Sequence, residues 1–125
     1  NASIDIIRDY APQAAFTRPV ADTVKGTVAH MRASSDSVAR ALEPAQPAWI
    51  VFPQWRHNAP AALQAVPQAR AHMRLAENAF NYSLLGEAGF QAVARLVGQA
   101  RTFDFSYGRL DDAVAVFERL LEEGA

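Results

Sequence analysis

The sequence predicts an α/β fold, a mixed sheet with about four or five helices, on three observations. The stretch Ala48-Trp49-Ile50-Val51-Phe52 is apolar at every position, which is a strand pattern. Phe103, Phe105 and Tyr107 alternate with Thr102, Asp104 and Ser106, which is a second strand pattern of a different kind. Between and after these two, apolar residues recur every three to four positions, the spacing of amphipathic helices. Over the C-terminal part the order is strand, helix, helix, strand, helix, which favours α/β over all-α.

The elements follow in order. Ile4, Ile7 and Tyr10 recur at helical spacing, with Ser3 as a candidate cap and Pro12 as the stop. Val20, Thr23, Val24, Thr27 and Val28 turn the composition towards β. Residues Thr23 to Met31 are expected to form one strand or a bent pair with Gly26 in its middle. Ser34-Ser35-Asp36 is an N-cap cluster for a short helix whose apolar face is Val38, Ala41 and Leu42, ended by Pro44 and Pro47. Ala48 to Phe52, closed by Pro53, reads as the central strand because both of its faces are apolar. Asn58-Ala59-Pro60 is a turn, and Ala62 to Val66 is a short strand.

Pro67 suits the first position of a helix. Ala69, Met73, Ala76, Phe80 and Leu84 define the expected buried stripe of that helix, with Gly86 as its stop. Phe90, Val93, Ala94 and Val97 define the next helix, ended near Gly98. The alternating segment Phe103 to Tyr107 is expected as an edge or outer strand, half-buried. Gly108 turns the chain, Asp111 and Asp112 favour a helix start, and Leu110, Ala113, Val114, Phe117, Leu120 and Leu121 form the last stripe. Phe80, Phe90 and Phe117 are expected to pack over the sheet. No internal repeat or low-complexity stretch occurs.

Composition excludes several functions. The chain has 125 residues, the length of one domain or of a fragment of one. Twelve basic and thirteen acidic side chains leave a net charge of −1, with no surplus of positive charge for nucleic acid. There is no cysteine, which removes disulfides, thiolate nucleophiles and sulfur-based zinc sites and suits a reducing compartment. No unbroken apolar run exceeds the five residues of Ala48 to Phe52, against the roughly 20 of a membrane span. Asp5, Arg8 and Asp9 interrupt the N-terminal isoleucines, unlike the apolar core of a signal peptide. A cytoplasmic location is the expectation. Asn1, without an initiator methionine, reads as a start inside a longer sequence.

Candidate chemistry is sparse. The six glycines are scattered, and Lys25-Gly26-Thr27 has the wrong order for a phosphate-binding loop. Lys25, the only lysine, either approaches a ligand beside a permissive glycine or is a solvated lysine at a bulge or hairpin. Arg56 and His57 lie just past the expected central strand, where ligands gather in open α/β sheets. They bind an anionic group or form an exposed polar loop. His30, His57 and His72 have no carboxylate at metal-ligand spacing, so no metal site is expected. His72 and Arg74 read as surface residues. Ser34, Ser35 and Ser37 are explained by capping, with no G-x-S-x-G elbow for a serine triad. Glu77, Asn78 and Asn81-Tyr82-Ser83 interrupt an apolar helix and either bridge helix to loop or line a pocket. Glu118, Glu122 and Glu123 form a solvated face.

Several stretches have a familiar wording: Pro47-Ala48-Trp49-Ile50-Val51-Phe52-Pro53, Arg74-Leu75-Ala76-Glu77-Asn78-Ala79-Phe80-Asn81-Tyr82, and Leu85-Gly86 with Gly89-Phe90. Asn1 to Asp5 and Asp22 to His30 fit as well. Together they resemble the C-terminal part of the HPr-kinase-related proteins (HprK-related kinase A), over nearly the whole chain. That family is similar to HPr kinase/phosphorylase, with a core like that of phosphoenolpyruvate carboxykinase. Its phosphate-binding loop and magnesium-binding acids lie upstream of the matched stretch, and this chain has neither. The resemblance implies ATP, magnesium and a serine-bearing protein substrate for a full-length homologue, and no cofactor held by this chain alone. It carries no catalytic residue onto these positions. Two functions stand: the C-terminal region of an ATP-dependent protein serine kinase, inactive in isolation, or a stand-alone non-enzymatic interaction module. A small-ligand binder using Arg56 and His57 is a third. A piece of a larger α/β domain exposes strand edges and apolar surface, so a homo-oligomer, or docking to the remainder of the kinase domain, is expected.

Overall fold

A computed structural model of the chain describes residues 2–124, so the expectations attached to Asn1 lie outside the described residues. The chain divides into two units, Asn1–Pro44 and Ala45–Ala125.

The first unit begins with helix α1 (Ala2–Tyr10), and Ser3 lies inside it rather than capping it. The expected strand from Thr23 to Met31 is a short antiparallel hairpin of β1 (Val20–Thr23) and β2 (Gly26–Val28). Its base is extended by a bridge between Phe16 and Met31 and by Thr17 N–H donating to His30 O at 2.8 Å. Helix α2 (Ser35–Ala39) is capped as expected by Ser34, whose Oγ accepts from the Ser37 N–H at 3.1 Å. The helix stops well before Pro44, and its expected apolar face is exposed, Leu42 almost fully. Ile4 alone is buried among this unit's described residues.

The second unit carries a three-stranded sheet in the order β3-β5-β4, from β3 (Trp49–Trp55), β4 (Ala62–Ala65) and β5 (Arg101–Tyr107). Strands β3 and β5 are parallel, with Trp49 opposite Arg101 and Trp55 opposite Tyr107. Strand β4 is antiparallel to β5, with Leu63 opposite Phe105. The expected positions of the two main strands are therefore exchanged. Segment Trp49–Phe52 lies at the edge, and Phe103–Tyr107 is the central strand. Pro53 does not close β3 but lies within it, which an edge strand tolerates because one side needs no N–H donor.

Both faces of β3 are nevertheless covered. Ile50 and Phe52 pack into one cluster around Val66, Ala71 and Val97, and Val51 packs into another around Phe105, Ala113 and Val116. The first cluster is roofed by α3 (Gln68–Asn78) and α5 (Glu87–Gln99), the second by α6 (Leu110–Gly124). Apolar residues on both faces thus mark a covered strand and say nothing about its place within the plane of the sheet.

The helical stripes shift as well. Pro67 is the N-cap residue of α3, one position before the helix. The stripe of α3 that meets the sheet is Ala71 and Leu75, not Met73 and Phe80. The helix stops at Asn78 because Ala79 is extended (ψ 112), so Phe80 falls beyond it and is fully exposed. A one-turn helix α4 (Tyr82–Leu85) follows, ended by Gly86 at φ 51, and Leu84 is exposed. Of the residues expected to bridge helix to loop or line a pocket, Glu77 and Asn78 are exposed, with Asn78 Nδ2 donating to Arg74 O at 2.8 Å, while Tyr82 OH joins α4 to His72 of α3 at 2.9 Å. Phe90 is half-exposed, away from the sheet, whereas Phe117 does pack on it, edge-on to Phe105 at 5.0 Å. In α6 the buried residues are Ala113, Val116 and Leu120, with Leu121 exposed. Six helices occur among the described residues, against the four or five expected, because α2 and α4 are very short. No helix among the described residues is long and apolar enough to cross a membrane.

Candidate functional site

The carboxyl ends of the parallel strands β3 and β5 open into a groove of about 440 Å³ on the sheet face that α3 roofs. Register explains its lining. Phe52 lies opposite Asp104 and Gln54 opposite Ser106, so these four share one face. On the far side of β5, Gln64 lies opposite Asp104 and Ala62 opposite Ser106. Nearer the start of β5 the same face holds Thr102, which is buried and donates to Val66 O at 2.5 Å. The polar half of the β5 alternation is thus not a solvent edge. Its hydroxyl nearest the core is satisfied, and its remaining members line a groove.

Helix α3 brings Arg70 and Arg74 to the groove, four residues apart and hence on one side of the helix. Arg74 is part-buried rather than a surface residue. Its Nη1 is hydrogen-bonded and ion-paired to Asp104 Oδ1, and its guanidinium lies 3.8 Å from the centre of the Phe52 ring. Arg70 is exposed and makes no ion pair or hydrogen bond with any described residue.

Arg56 completes the set. Its Nε and Nη2 both donate to Gln54 Oε1, at 3.1 and 2.7 Å. Its loop is fixed from below: Arg56 N–H donates to Tyr107 O at 2.9 Å, and the Trp55 indole donates to Gly108 O at 3.1 Å. Ala59 N–H then donates to Arg56 O at 3.1 Å, closing a tight turn in which Asn58 takes φ 57. Gly108 lets this turn descend onto β5, since a Cβ there would lie 2.8 Å from both Ala59 N and Ala59 O.

Of the sequence candidates, Arg56 therefore lines the groove. His57 is exposed on the same loop, its ring 6.2 Å from that of Trp55, and does not line it. Lys25 belongs to the other unit, at the exposed tip of the β1–β2 hairpin. There its N–H donates to Thr23 Oγ1 at 3.2 Å, beside Gly26 at φ 78. That is the geometry of a solvated hairpin lysine. Sequence reasoning missed Arg70, Arg74 and Asp104; the spacing of the two arginines after Pro67 was the signal available. His72, taken as a surface residue, hydrogen-bonds Tyr82 OH at 2.9 Å, packs against Phe90 at 4.8 Å, and lines with it a second, mainly apolar groove between α3 and α5.

No cluster of three or more His, Asp or Glu side chains suited to a metal ion occurs among the described residues. The groove's one carboxylate, Asp104, is already paired with Arg74. The donor set does not fit the magnesium ion that a kinase of the resembled family would use. Comparisons with known protein families, curated proteins and solved structures found nothing that matches this chain.

Proposed function

We propose that this chain is the C-terminal, substrate-side region of an HPr-kinase-related, ATP-dependent protein serine kinase, without phosphoryl-transfer activity of its own. The observation that carries the reading is a convergence. Two stretches of the resemblance, Pro47–Pro53 and Arg74–Tyr82, meet where the Arg74 guanidinium stacks on Phe52 at 3.8 Å. Phe52, Pro53 and Arg74, which carry the likeness, thus line one polar groove at the strand ends, where α/β proteins place ligands. Val24, Met31 and Leu42 of the first unit are exposed, as expected of surface that a further part of a kinase domain would cover.

The sequence holds no glycine-rich loop to cradle the β- and γ-phosphates, and no donor set for magnesium occurs among the described residues, so phosphoryl transfer is assigned to the upstream part of the protein. The test compares this chain with the same chain extended upstream through its gene, each given radiolabelled ATP, magnesium and a serine-bearing protein. Label on serine with the extended protein alone supports the proposal, and no transfer by either refutes it. The stand-alone module gains one specific observation, the apolar groove lined by Phe90 and Met73, each about half-exposed. It predicts a strictly monomeric species with no requirement for upstream sequence.

A further inference from the structure

We propose that the groove at the carboxyl ends of β3 and β5 is a binding site for a dianionic phosphoryl group, held by Arg56, Arg70 and Arg74. The inference rests on the groove's geometry and not on the kinase reading. Three guanidiniums face one carboxylate, Asp104, which leaves the groove two positive charges in a chain whose net charge is −1. A local excess of two matches a phosphate monoester, which carries about −1.5 to −2 at pH 7, better than a single carboxylate.

The donors are pre-organised. Asp104 and Phe52 hold Arg74 from two sides, and Gln54 holds Arg56. Little side-chain entropy remains to be lost when an anion arrives. Each guanidinium has five N–H donors. Arg74 uses one of them on Asp104, and Arg56 uses two on Gln54, so both retain donors for a second acceptor. Arg70 is exposed and uncommitted, so its guanidinium donors are available to the ligand. Ser106 and Gln64 add neutral hydrogen-bonding groups on the floor. A volume of about 440 Å³ exceeds one phosphoryl group and leaves room for the moiety that bears it.

The test is a backbone-amide NMR titration with inorganic phosphate at low ionic strength. The expected result is saturable shifts at Arg56, Gln64 and Ser106, weakening as salt is added. Arg70→Gln and Arg56→Gln should each weaken binding about tenfold, the loss of a charge-assisted contact. Arg95→Gln, on α5 away from the groove, should leave it unchanged. Arg70 is exposed, so its variant keeps the fold and decides the matter even if Arg56→Gln does not fold. A phosphoserine peptide, its unphosphorylated form and ADP then separate the sources. Tighter binding of the phosphopeptide identifies a modified protein side chain, and tighter binding of ADP identifies a nucleotide. Shifts that never saturate, equal affinity in Arg70→Gln and the parent, or an unphosphorylated peptide that binds as well as the phosphorylated one would each overturn the proposal. Failure of the kinase assay with saturable phosphate binding intact would sink the kinase reading alone.

Discussion

Replacing Gly108 with alanine should damage both the fold and the groove, and its cost can be worked from the contacts around it. The added Cβ would lie 2.8 Å from Ala59 N and O and 3.0 Å from Arg56 O, all of them backbone atoms that cannot rotate away. Ordinary contact begins near 3.4 Å, so the turn must rise by about 0.6 Å. Overpacking of this kind costs about 1–3 kcal/mol. Lifting the turn also strains two hydrogen bonds, Arg56 N–H to Tyr107 O and the Trp55 indole to Gly108 O, each worth about 1 kcal/mol. The expected loss is about 2–4 kcal/mol, or on the order of 10–20 °C in Tm for a unit this small. Urea unfolding followed by tryptophan fluorescence reads it, since Trp55 reports the loop directly. Phosphate affinity should fall as well, because Arg56 rides on the displaced turn. A loss under about 0.5 kcal/mol, with phosphate binding unchanged, would refute the account of how this loop is held.

Phe105→Ala should cost about 3–5 kcal/mol, because its ring is buried between Tyr107 and Phe117, while Phe117→Ala, only partly buried, should cost roughly half as much. Equal losses in urea unfolding would argue against a central β5. Phe80→Ser should change stability by less than about 0.5 kcal/mol, since the side chain is fully exposed, and a large loss by the same measurement would place Phe80 in a core. Arg74→Ala should cost about 1–2 kcal/mol, mostly from packing on Phe52, because both partners of its ion pair are more than a third exposed. An unchanged urea midpoint would show that the stack contributes nothing. Gly89→Ala should destabilise the α4–α5 junction by about 1–3 kcal/mol, its Cβ falling 2.8 Å from Tyr82 O; thermal unfolding at the parent Tm would contradict this.

Periodicity located most elements, but it reports which faces are covered and not how strands are ordered. Trp49 to Phe52 is apolar on both faces because α3 and α5 cover one and α6 the other, yet the strand lies at the edge. Pro53 was the residue that carried the in-plane information, since a central strand would need its missing N–H. In β5 the alternation was legible and its cause was not. Thr102, Asp104 and Ser106 are polar because one bonds Val66, one pairs with Arg74 and one lines the groove, all of which depend on residues remote in sequence. The stripe of α3 was misplaced because Phe80 and Leu84 extend its spacing beyond Asn78, where the backbone has already left the helix. Of the groove's charged residues, sequence reasoning singles out only Arg56 as a site residue, through its place after a strand. Arg70 and Arg74 join it by tertiary packing, and the need for Gly108 appears only once Ala59 is seen above it.

Sequencing the gene upstream of the Asn1 codon tests the proposed origin of this chain in an HPr-kinase-related kinase. The expected result is an open reading frame continuing upstream to a glycine-rich loop that ends in Gly-Lys-Ser or Gly-Lys-Thr, with acidic residues for magnesium between it and this chain. An initiator methionine immediately before Asn1, with no such loop, would contradict it.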